Sequence, residues 1–254
     1  MNILAIIPAR MGSSRFPGKP MAKILGVPMI GHVYQNVSKC EDVTKTIVAT
    51  CDNEIKDYIK SIGGEAILTS NKHERASDRC AEALAVVESN SRIKFDIVVM
   101  IQGDEPMTTS KMISQAVRPM MEDLNIKVIN LVGNISNEDE FNDRNCIKVV
   151  CDINNNALYF SREPIPTTQN TKKIEMKKQV CVIPFKRDYL LKFNEMDETE
   201  LERIESVDMM RIIENGEKVH MVLNNTSTYS VDTEEDKANV EGLMSGDSLL
   251  TKYK

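Results

Sequence analysis

Short apolar segments alternate with segments of helical periodicity through the first hundred residues, and this alternation constrains the fold most. Continuous apolar runs at 2–8, 46–50, 65–69 and 96–102 predict buried strands. Segments 28–40, 52–62 and 77–88 have apolar residues at helical spacing. Strands joined by helices of this length favour right-handed crossovers and a parallel sheet covered on both faces. Ligands of such sheets bind beyond the carboxyl ends of the strands.

The second half of the chain is less regular. We predict strands at 146–152, 157–162, 179–185 and 218–224, with a polar loop at 167–178. A single helix is predicted from 199 to 216, with Thr199 and Glu202 as a capping box and Gly216 as its stop. A closing helix follows within 231–244. No repeat or linker divides the chain, so we predict one α/β domain, 1–254, with an inserted subregion at about 157–195.

Charge and cysteine content exclude several classes of protein. The 32 Lys and Arg against 38 Asp and Glu give a net charge of -6, which argues against nucleic-acid or membrane-surface binding. The six cysteines show no zinc-like spacing, so we expect reduced thiols. No apolar run approaches the ~18 residues of a membrane span, and we expect a soluble, cytoplasmic protein.

The segment 8–20, "PARMGSSRFPGKP", follows the first strand and is strongly basic. No acidic residue occurs from 3 to 40, where Arg10, Arg15 and Lys19 are found. With Gly12 and Gly18 allowing tight turns and exposed N–H groups, this composition predicts a phosphate-binding loop. Five residues separate the two glycines and a proline follows the lysine, so the loop is not a Walker motif, and the Rossmann fingerprint is also absent. The alternative is a solvated basic loop.

Carboxylates follow other strands and suggest a metal site. Asp104 of "QGDEP" comes directly after a strand, where it could bind Mg²⁺ beside substrate phosphates. The alternative is a polar turn before a helix capped by Ser110. Asp232 offers a second carboxylate, although it could also cap the closing helix. In "HERASDR", Ser77 and Arg79 either start a helix or face the nucleotide.

These motifs together resemble those of a known family. "IIPARMGSSRFPGKPMAKILGVPMIGHV", "IVATCDNEI", "HERASDRCAEA", "VMIQGDEPM", "ALYFSREPIP" and "YSVDTEED" occur in the order found in the 3-deoxy-manno-octulosonate (Kdo) cytidylyltransferases, which make CMP-Kdo for lipopolysaccharide. The resemblance covers about residues 2–243. It implies a Rossmann-like nucleotidyltransferase fold and attack of an acidic sugar's hydroxyl on the α-phosphate of CTP, with release of pyrophosphate. It also implies a homodimer built around the 157–195 segment.

The resemblance assigns roles to individual residues. Arg10, Lys19 and Asp104 would be catalytic, and Asp104 and Asp232 would hold Mg²⁺. Gln102, Arg162, Gln179 and Glu205 would bind the sugar. The nucleotide-binding residues would be Pro8, Ala9, Arg10, Gly12, Ser13, Arg15, Lys19, Ser77, Arg79 and Gln102.

Two single positions and one short motif depart from the family pattern. The family usually carries a histidine and a tyrosine where this chain has Gln179 and Ile183, and its "SGTDR" reads "RASDR" here. Sites built on hydrogen bonds to hydroxyls discriminate strongly between substrates. A different acidic acceptor is therefore one alternative, and a catalytically silent nucleotide-binding protein is another.

Overall fold

The computed structural model describes residues 1–13, 15–169 and 175–246, and these residues contain twelve strands and nine α-helices. The strands are β1 (Ile3–Ala9), β2 (Lys23–Ile24), β3 (Val27–Pro28), β4 (Lys45–Thr50), β5 (Ala66–Leu68), β6 (Ile97–Ile101), β7 (Ile129–Asn134), β8 (Lys148–Cys151), β9 (Ala157–Ser161), β10 (Lys177–Val180), β11 (Val182–Lys186) and β12 (His220–Asn224). The helices are α1 (Met29–Ser38), α2 (Asn53–Ser61), α3 (Ala76–Ser91), α4 (Ser110–Glu122), α5 (Glu138–Asn142), α6 (Arg187–Glu195), α7 (Glu200–Glu205), α8 (Met209–Glu214) and α9 (Glu234–Ser245).

The first sheet has the strand order β11-β6-β1-β4-β5. Its strands β6, β1, β4 and β5 run parallel to one another. β11 runs antiparallel to β6 at one edge. Alternate residues of β1 enter two different core clusters: Leu4 and Ile6 pack on the α3 side, while Ala5 and Ile7 pack on the α1 and α4 side. The predicted parallel sheet, apolar on both faces, is thereby confirmed.

A second sheet, of order β12-β7-β10-β8-β9, accounts for the less regular half of the chain. Only β7 and β12 pair in parallel, and the other neighbours are antiparallel. β7 was not predicted from the sequence. The prediction of a single strand at 179–185 is also wrong, because the chain leaves the second sheet after Val180 and enters the first at Val182. Segment 157–195 therefore contributes strands to both sheets.

The predicted helix at 199–216 is also divided. Thr199 and Glu202 form the expected capping box, but Ser206 adopts a left-handed conformation (φ 52°) and ends α7. α8 starts at Met209. Ser and Asp compete with helical hydrogen bonds through their own side chains, which favours a break in "ESVD". Two caps also differ from expectation: Thr109, not Ser110, caps α4, and Thr233, not Asp232, caps α9.

The last helix, α9, packs against the N-terminal part of the chain. Its Val240 and Met244 contact the cluster that contains Ile24 of the small β2–β3 hairpin.

All six cysteines are free thiols, as expected. The centre of the predicted polar loop, 170–174, lies outside the described residues. Within the described ranges, none of the helices has the length and apolar character that crossing a membrane requires.

Candidate active site

A cavity of about 430 Å³ opens at the carboxyl ends of β1 and β6, where the sequence placed the site. It gathers most of the predicted residues from distant parts of the chain. The loop after β1 contributes Pro8, Ala9, Arg10, Gly12, Ser13, Arg15 and Lys19. Other elements contribute Arg79, Gln102, Asp104, Arg162, Gln179 and Asp232. Nucleotide-binding and sugar-binding candidates therefore face one shared space.

Two predicted residues do not line this cavity. Ser77 is fully buried, and its hydroxyl donates a 2.8 Å hydrogen bond to Asp208 Oδ2. Glu205 points toward β9, where its carboxylate accepts hydrogen bonds from Tyr159 Oη and Ser161 Oγ. The side chains of Ser77 and Glu205 are thus engaged within the protein, where they stabilise segments that carry other site residues, and their predicted ligand contacts stay predictions.

The basic loop after β1 is shaped by its own backbone. The N–H groups of Ser13 and Gly18 both donate to Met11 O, at 2.9 and 3.1 Å, and Gly18 has a positive φ of 73°. Met11 N–H donates to Asp52 Oδ2. These three donors are used to fix the loop, so the expectation that the loop's N–H groups cradle phosphate is wrong for them. The charged side chains Arg10, Arg15 and Lys19 of the loop line the cavity.

Lys19 occupies the centre of the charged cluster. Its Nζ lies 2.7 Å from Asp104 Oδ2 and 3.1 Å from Asp232 Oδ1. Arg15 Nη2 lies 3.0 Å from the same Asp232 oxygen. Burial would lower the pKa of Lys19, but the two carboxylates outweigh it and raise the pKa. The ammonium group is therefore charged at neutral pH.

Backbone contacts hold the two carboxylates together across 128 residues of sequence. Val231 N–H donates a 2.9 Å hydrogen bond to Asp104 O, which places Asp232 beside Asp104. A Cβ on Gly103 would lie 3.2 Å from Pro8 O, so glycine allows the turn after β6 to approach β1 closely. Since Thr233 performs the capping of α9, the Asp232 carboxylate is available to the cavity.

These two carboxylates suit a hard cation. Both are largely buried, with side chains 20% and 13% exposed, and both contact the same ammonium group. The described residues contain no cluster of three or more metal-ligating side chains. Mg²⁺ is often bound by one or two carboxylates together with substrate phosphates, so the donor set fits that arrangement.

Arg79 is a buried cation at the cavity wall. It is 3% exposed, and its Nη1 donates to Thr69 Oγ1 at 2.5 Å and to Ser70 O at 3.3 Å. Its Nη2 is buried without a hydrogen-bond partner among the described residues. A buried unpaired donor is costly, so this atom suits an oxygen of a ligand.

Arg162 is held by main-chain oxygens. Its Nε donates to Glu205 O at 2.7 Å and its Nη1 to Arg144 O at 3.0 Å. Glu205 also accepts from the Arg162 N–H at 2.8 Å. These carbonyl partners orient the guanidinium and leave its positive charge available to an anionic group in the cavity.

A buried lysine supports this arrangement. Lys148 is fully buried, and its Nζ donates to Asp143 O, Cys146 O and Arg162 O at 2.6–2.7 Å. Burial lowers the pKa of Lys148. Its ammonium thus joins the Arg162 backbone to the loop 143–146, whose Asn145 hydrogen-bonds with Arg15.

Several residues of the cavity were not predicted from the sequence. The break between α7 and α8 brings Ser206, Val207 and Asp208 to its wall. Burial raises the pKa of the Asp208 carboxyl. Asn145 and Ile147 also line the cavity, from the segment before β8. Weak helix formers in "ESVD" were a usable signal for the break, whereas Asn145 carries no local signal of its position.

The fold and the cavity define a nucleotidyltransferase: a basic loop and two carboxylates meet at the edge of a parallel sheet. A family model described as "Cytidylyltransferase" matches residues 4–219. Together with the full-length relatives that follow, this match shows that the chain belongs to the 3-deoxy-manno-octulosonate cytidylyltransferase family.

The 3-deoxy-manno-octulosonate cytidylyltransferase of Geobacter metallireducens is 38% identical, over 93% of this chain and 95% of the relative. That of Syntrophus aciditrophicus is 39% identical, over 96% and 98%. The solved structure of a CMP:2-keto-3-deoxy-manno-octonic acid synthetase complexed with CTP has a TM-score of 0.87 and 34% identity, and the match covers 96% of this chain and 99% of that one. A cytidylyltransferase of Leptospira borgpetersenii shares the fold, with a TM-score of 0.63 and 18% identity.

Proposed function

We propose that this chain transfers CMP from CTP to a hydroxyl of Kdo or a closely related acidic sugar, with release of pyrophosphate. The observation that carries the proposal is the single cavity that joins the basic loop, the two carboxylates and Arg162. The names of the similar proteins and the CTP complex of the similar structure support the choice of substrates.

The residues suit attack on an α-phosphoryl group. The acceptor oxygen forms a bond to the α-phosphorus, the bond to the bridging oxygen breaks, and pyrophosphate leaves while the hydroxyl loses its proton. Such a reaction needs positioning and charge neutralisation above all. Arg10, Arg15 and Lys19 would neutralise the triphosphate, and Arg79 would bind a nucleotide oxygen with its buried Nη2.

Arg162 would bind the carboxylate of the acceptor. Its guanidinium is oriented by carbonyls and lies at the wall shared with Gln179. A planar guanidinium matches a carboxylate with two parallel hydrogen bonds. Gln102 directly follows β6, and its side chain would form a hydrogen bond with a hydroxyl of the sugar.

Asp104 and Asp232 would hold Mg²⁺. When bound, the cation would neutralise phosphate charge and polarise the reacting oxygens. Lys19 contacts only one oxygen of each carboxylate, Asp104 Oδ2 and Asp232 Oδ1, and its ammonium would lie beside the bound cation and the phosphates.

We further propose a cytoplasmic homodimer that uses the 157–195 segment. β9 lies at an edge of the second sheet, and Leu158 on this strand is 56% exposed. An exposed strand edge with an apolar side chain is a common pairing surface. Light scattering of the wild type and of Leu158→Lys tests this, with a dimer expected for the first and a monomer for the second; a monomeric wild type would contradict it.

The activity test is direct. Purified protein with CTP, Mg²⁺ and Kdo should yield pyrophosphate and a CMP-sugar in equal amounts. Omission of Kdo, or replacement of CTP with ATP, provides the controls. The absence of product with every acidic sugar, despite measurable CTP binding, would reject the proposed function in favour of a silent nucleotide-binding protein.

A further inference from the structure

The segment between β12 and α9 brings Asp232 to the active site without regular secondary structure. Residues 225–232 lie in neither a helix nor a strand. A strand residue is positioned by the hydrogen bonds of its ladder, whereas the main chain of this segment depends on individual contacts. Those contacts therefore decide where the Asp232 carboxylate lies.

Thr228 provides one of these contacts through a buried side chain. Its Oγ1 donates a 3.1 Å hydrogen bond to Oε2 of Glu105, and the two residues are 3% and 4% exposed. Glu105 directly follows Asp104, whose main-chain oxygen accepts the N–H of Val231 at 2.9 Å. The turn after β6 thus binds the segment at two points, Thr228 and Val231, shortly before Asp232.

Lys178 of β10 holds Thr228 from the second sheet. Its Nζ donates to Thr228 O at 2.9 Å, forms an ion pair with Glu140 and lies 4.4 Å from the centre of the Tyr229 ring. Lys178 is itself buried, so its ammonium is fixed by these partners. The hydroxyl and the main-chain oxygen of Thr228 are therefore bound by residues of different sheets.

Thr108 offers a comparison within the same turn. It is fully buried three residues after Glu105, and its Oγ1 has no hydrogen-bond partner among the described residues. Two threonine hydroxyls near this turn are thus equally buried, but only that of Thr228 bonds the Glu105 carboxylate.

We propose that Thr228 and Glu105 are positioning residues for the reaction, because their hydrogen bond sets the place of the Asp232 carboxylate relative to that of Asp104. The inference rests on the proposed function, in which the two carboxylates hold Mg²⁺ beside the phosphates. Any freedom left to the segment that carries Asp232 must be lost when both carboxylates bind one cation, which weakens binding. Partners of metal-binding side chains commonly contribute tenfold or more to metal affinity.

Thr228→Val tests the inference, because it removes the hydroxyl at nearly constant volume. We expect the Mg²⁺ concentration that gives half-maximal pyrophosphate release to rise about tenfold, with little change in the KM for the acceptor. Thr228→Ser keeps the hydroxyl and should retain the wild-type Mg²⁺ dependence. Thr108→Val makes the same substitution at the unpaired hydroxyl and should leave that dependence unchanged. Thr228→Ala replaces Thr228→Val if that variant does not fold, and an unchanged Mg²⁺ dependence in the folded variant would overturn the inference.

Two measurements without turnover separate positioning from a general loss of structure. Calorimetric titration of Mg²⁺ into protein that holds a CTP analogue with a methylene between the α- and β-phosphates should show the same tenfold weakening in Thr228→Val. Hydrogen exchange of the ligand-free protein should be faster at the Val231 N–H of this variant, with the amides of β1 unchanged. An equal loss of protection at Val231 and in β1 would show that Thr228 has only a structural role.

The proposed function fails in a different way. No pyrophosphate release by the wild type with any acidic sugar would reject CMP transfer, whereas the exchange of the Val231 N–H and the titration with Mg²⁺ would still decide the positioning role. Wild-type turnover that does not depend on Mg²⁺ would reject the metal assignment and this inference with it.

Discussion

The Nζ of Lys19 lies 2.7 Å from the Oδ2 of Asp104, and these two residues come from loops after neighbouring strands β1 and β6. Asp232 joins them from a segment more than two hundred residues after Lys19. The three side chains therefore form one buried charged cluster at the edge of the first sheet.

Asp104→Asn and Asp232→Asn should each lower kcat for pyrophosphate release by about a hundredfold or more. The amide preserves side-chain shape but removes the negative charge that would hold Mg²⁺ beside the phosphates. Rates measured across a range of Mg²⁺ concentrations check this. Asp57→Asn, on the exposed surface of α2, is the matched control. Ordinary turnover by folded Asp104→Asn and Asp232→Asn proteins would refute the metal assignment.

Arg79→Lys should raise the KM for CTP about tenfold and change the KM for the acceptor little. Lysine retains the charge but cannot supply both the bond to Thr69 Oγ1 and the buried second donor. Loss of one hydrogen bond to a charged group corresponds to roughly that factor. Initial-rate kinetics with each substrate varied measure the effect. Arg92→Lys, at the exposed end of α3, should have no effect, and an unchanged KM in Arg79→Lys would exclude a nucleotide contact.

Lys148→Met should raise the KM for the acceptor severalfold and lower the free energy of unfolding by about 3 kcal/mol. Three main-chain oxygens would lose their charged donor, and Arg162 would lose its fixed backbone position. Kinetics and chemical denaturation are measured together, with Lys111→Met on the exposed face of α4 as control. Lower stability with both KM values unchanged would show that Lys148 has only a structural role.

The ion pair of Glu88 and Arg187 should make stability depend on pH. Hydrogen bonds from Arg187 lower the pKa of Glu88 below its ordinary value of 4.5. The unfolded chain then binds protons more readily, so the contribution of the pair is complete above pH 4.5 and is lost as pH falls below it.

Glu88→Gln should therefore lower the free energy of unfolding by about 2 kcal/mol near neutral pH and by less in acid. Chemical denaturation of both proteins from about pH 7 to about pH 3 measures the difference. Glu54→Gln, at the exposed start of α2, serves as control. A difference independent of pH would show that the stability change comes from packing rather than from charge.

The first sheet could be predicted because its strands are short apolar runs with clear boundaries. β1 and β6 occur within a residue or two of their predicted positions, and so the predicted site coincides with a cavity at that sheet edge. The basic side chains Arg10, Arg15 and Lys19 were identified for a similar reason: they are concentrated in one segment without acidic neighbours.

The remaining features depend on contacts between distant segments. The chain changes sheets at Cys181, within an unbroken apolar run. Such a run has no alternation of apolar and polar residues that could indicate where one strand ends and the next begins. Ser77 and Glu205 have suitable chemistry close to the site in sequence, but Asp208 and Tyr159 compete for their polar atoms. The role of Lys148 could not be predicted because its three oxygen partners are main-chain atoms.

The chain passes from the second sheet to the first between β10 and β11, so residues of both sheets line the cavity. The basic loop and Asp104 follow β1 and β6 of the first sheet, whereas Gln179 lies on β10 and Arg162 follows β9 of the second sheet. We therefore expect a substitution at Gln179 to alter acceptor binding without disturbing Lys19 or its loop. The two parts of the cavity can thus be varied separately, and a change in the acceptor part need not rebuild the part that we propose binds CTP.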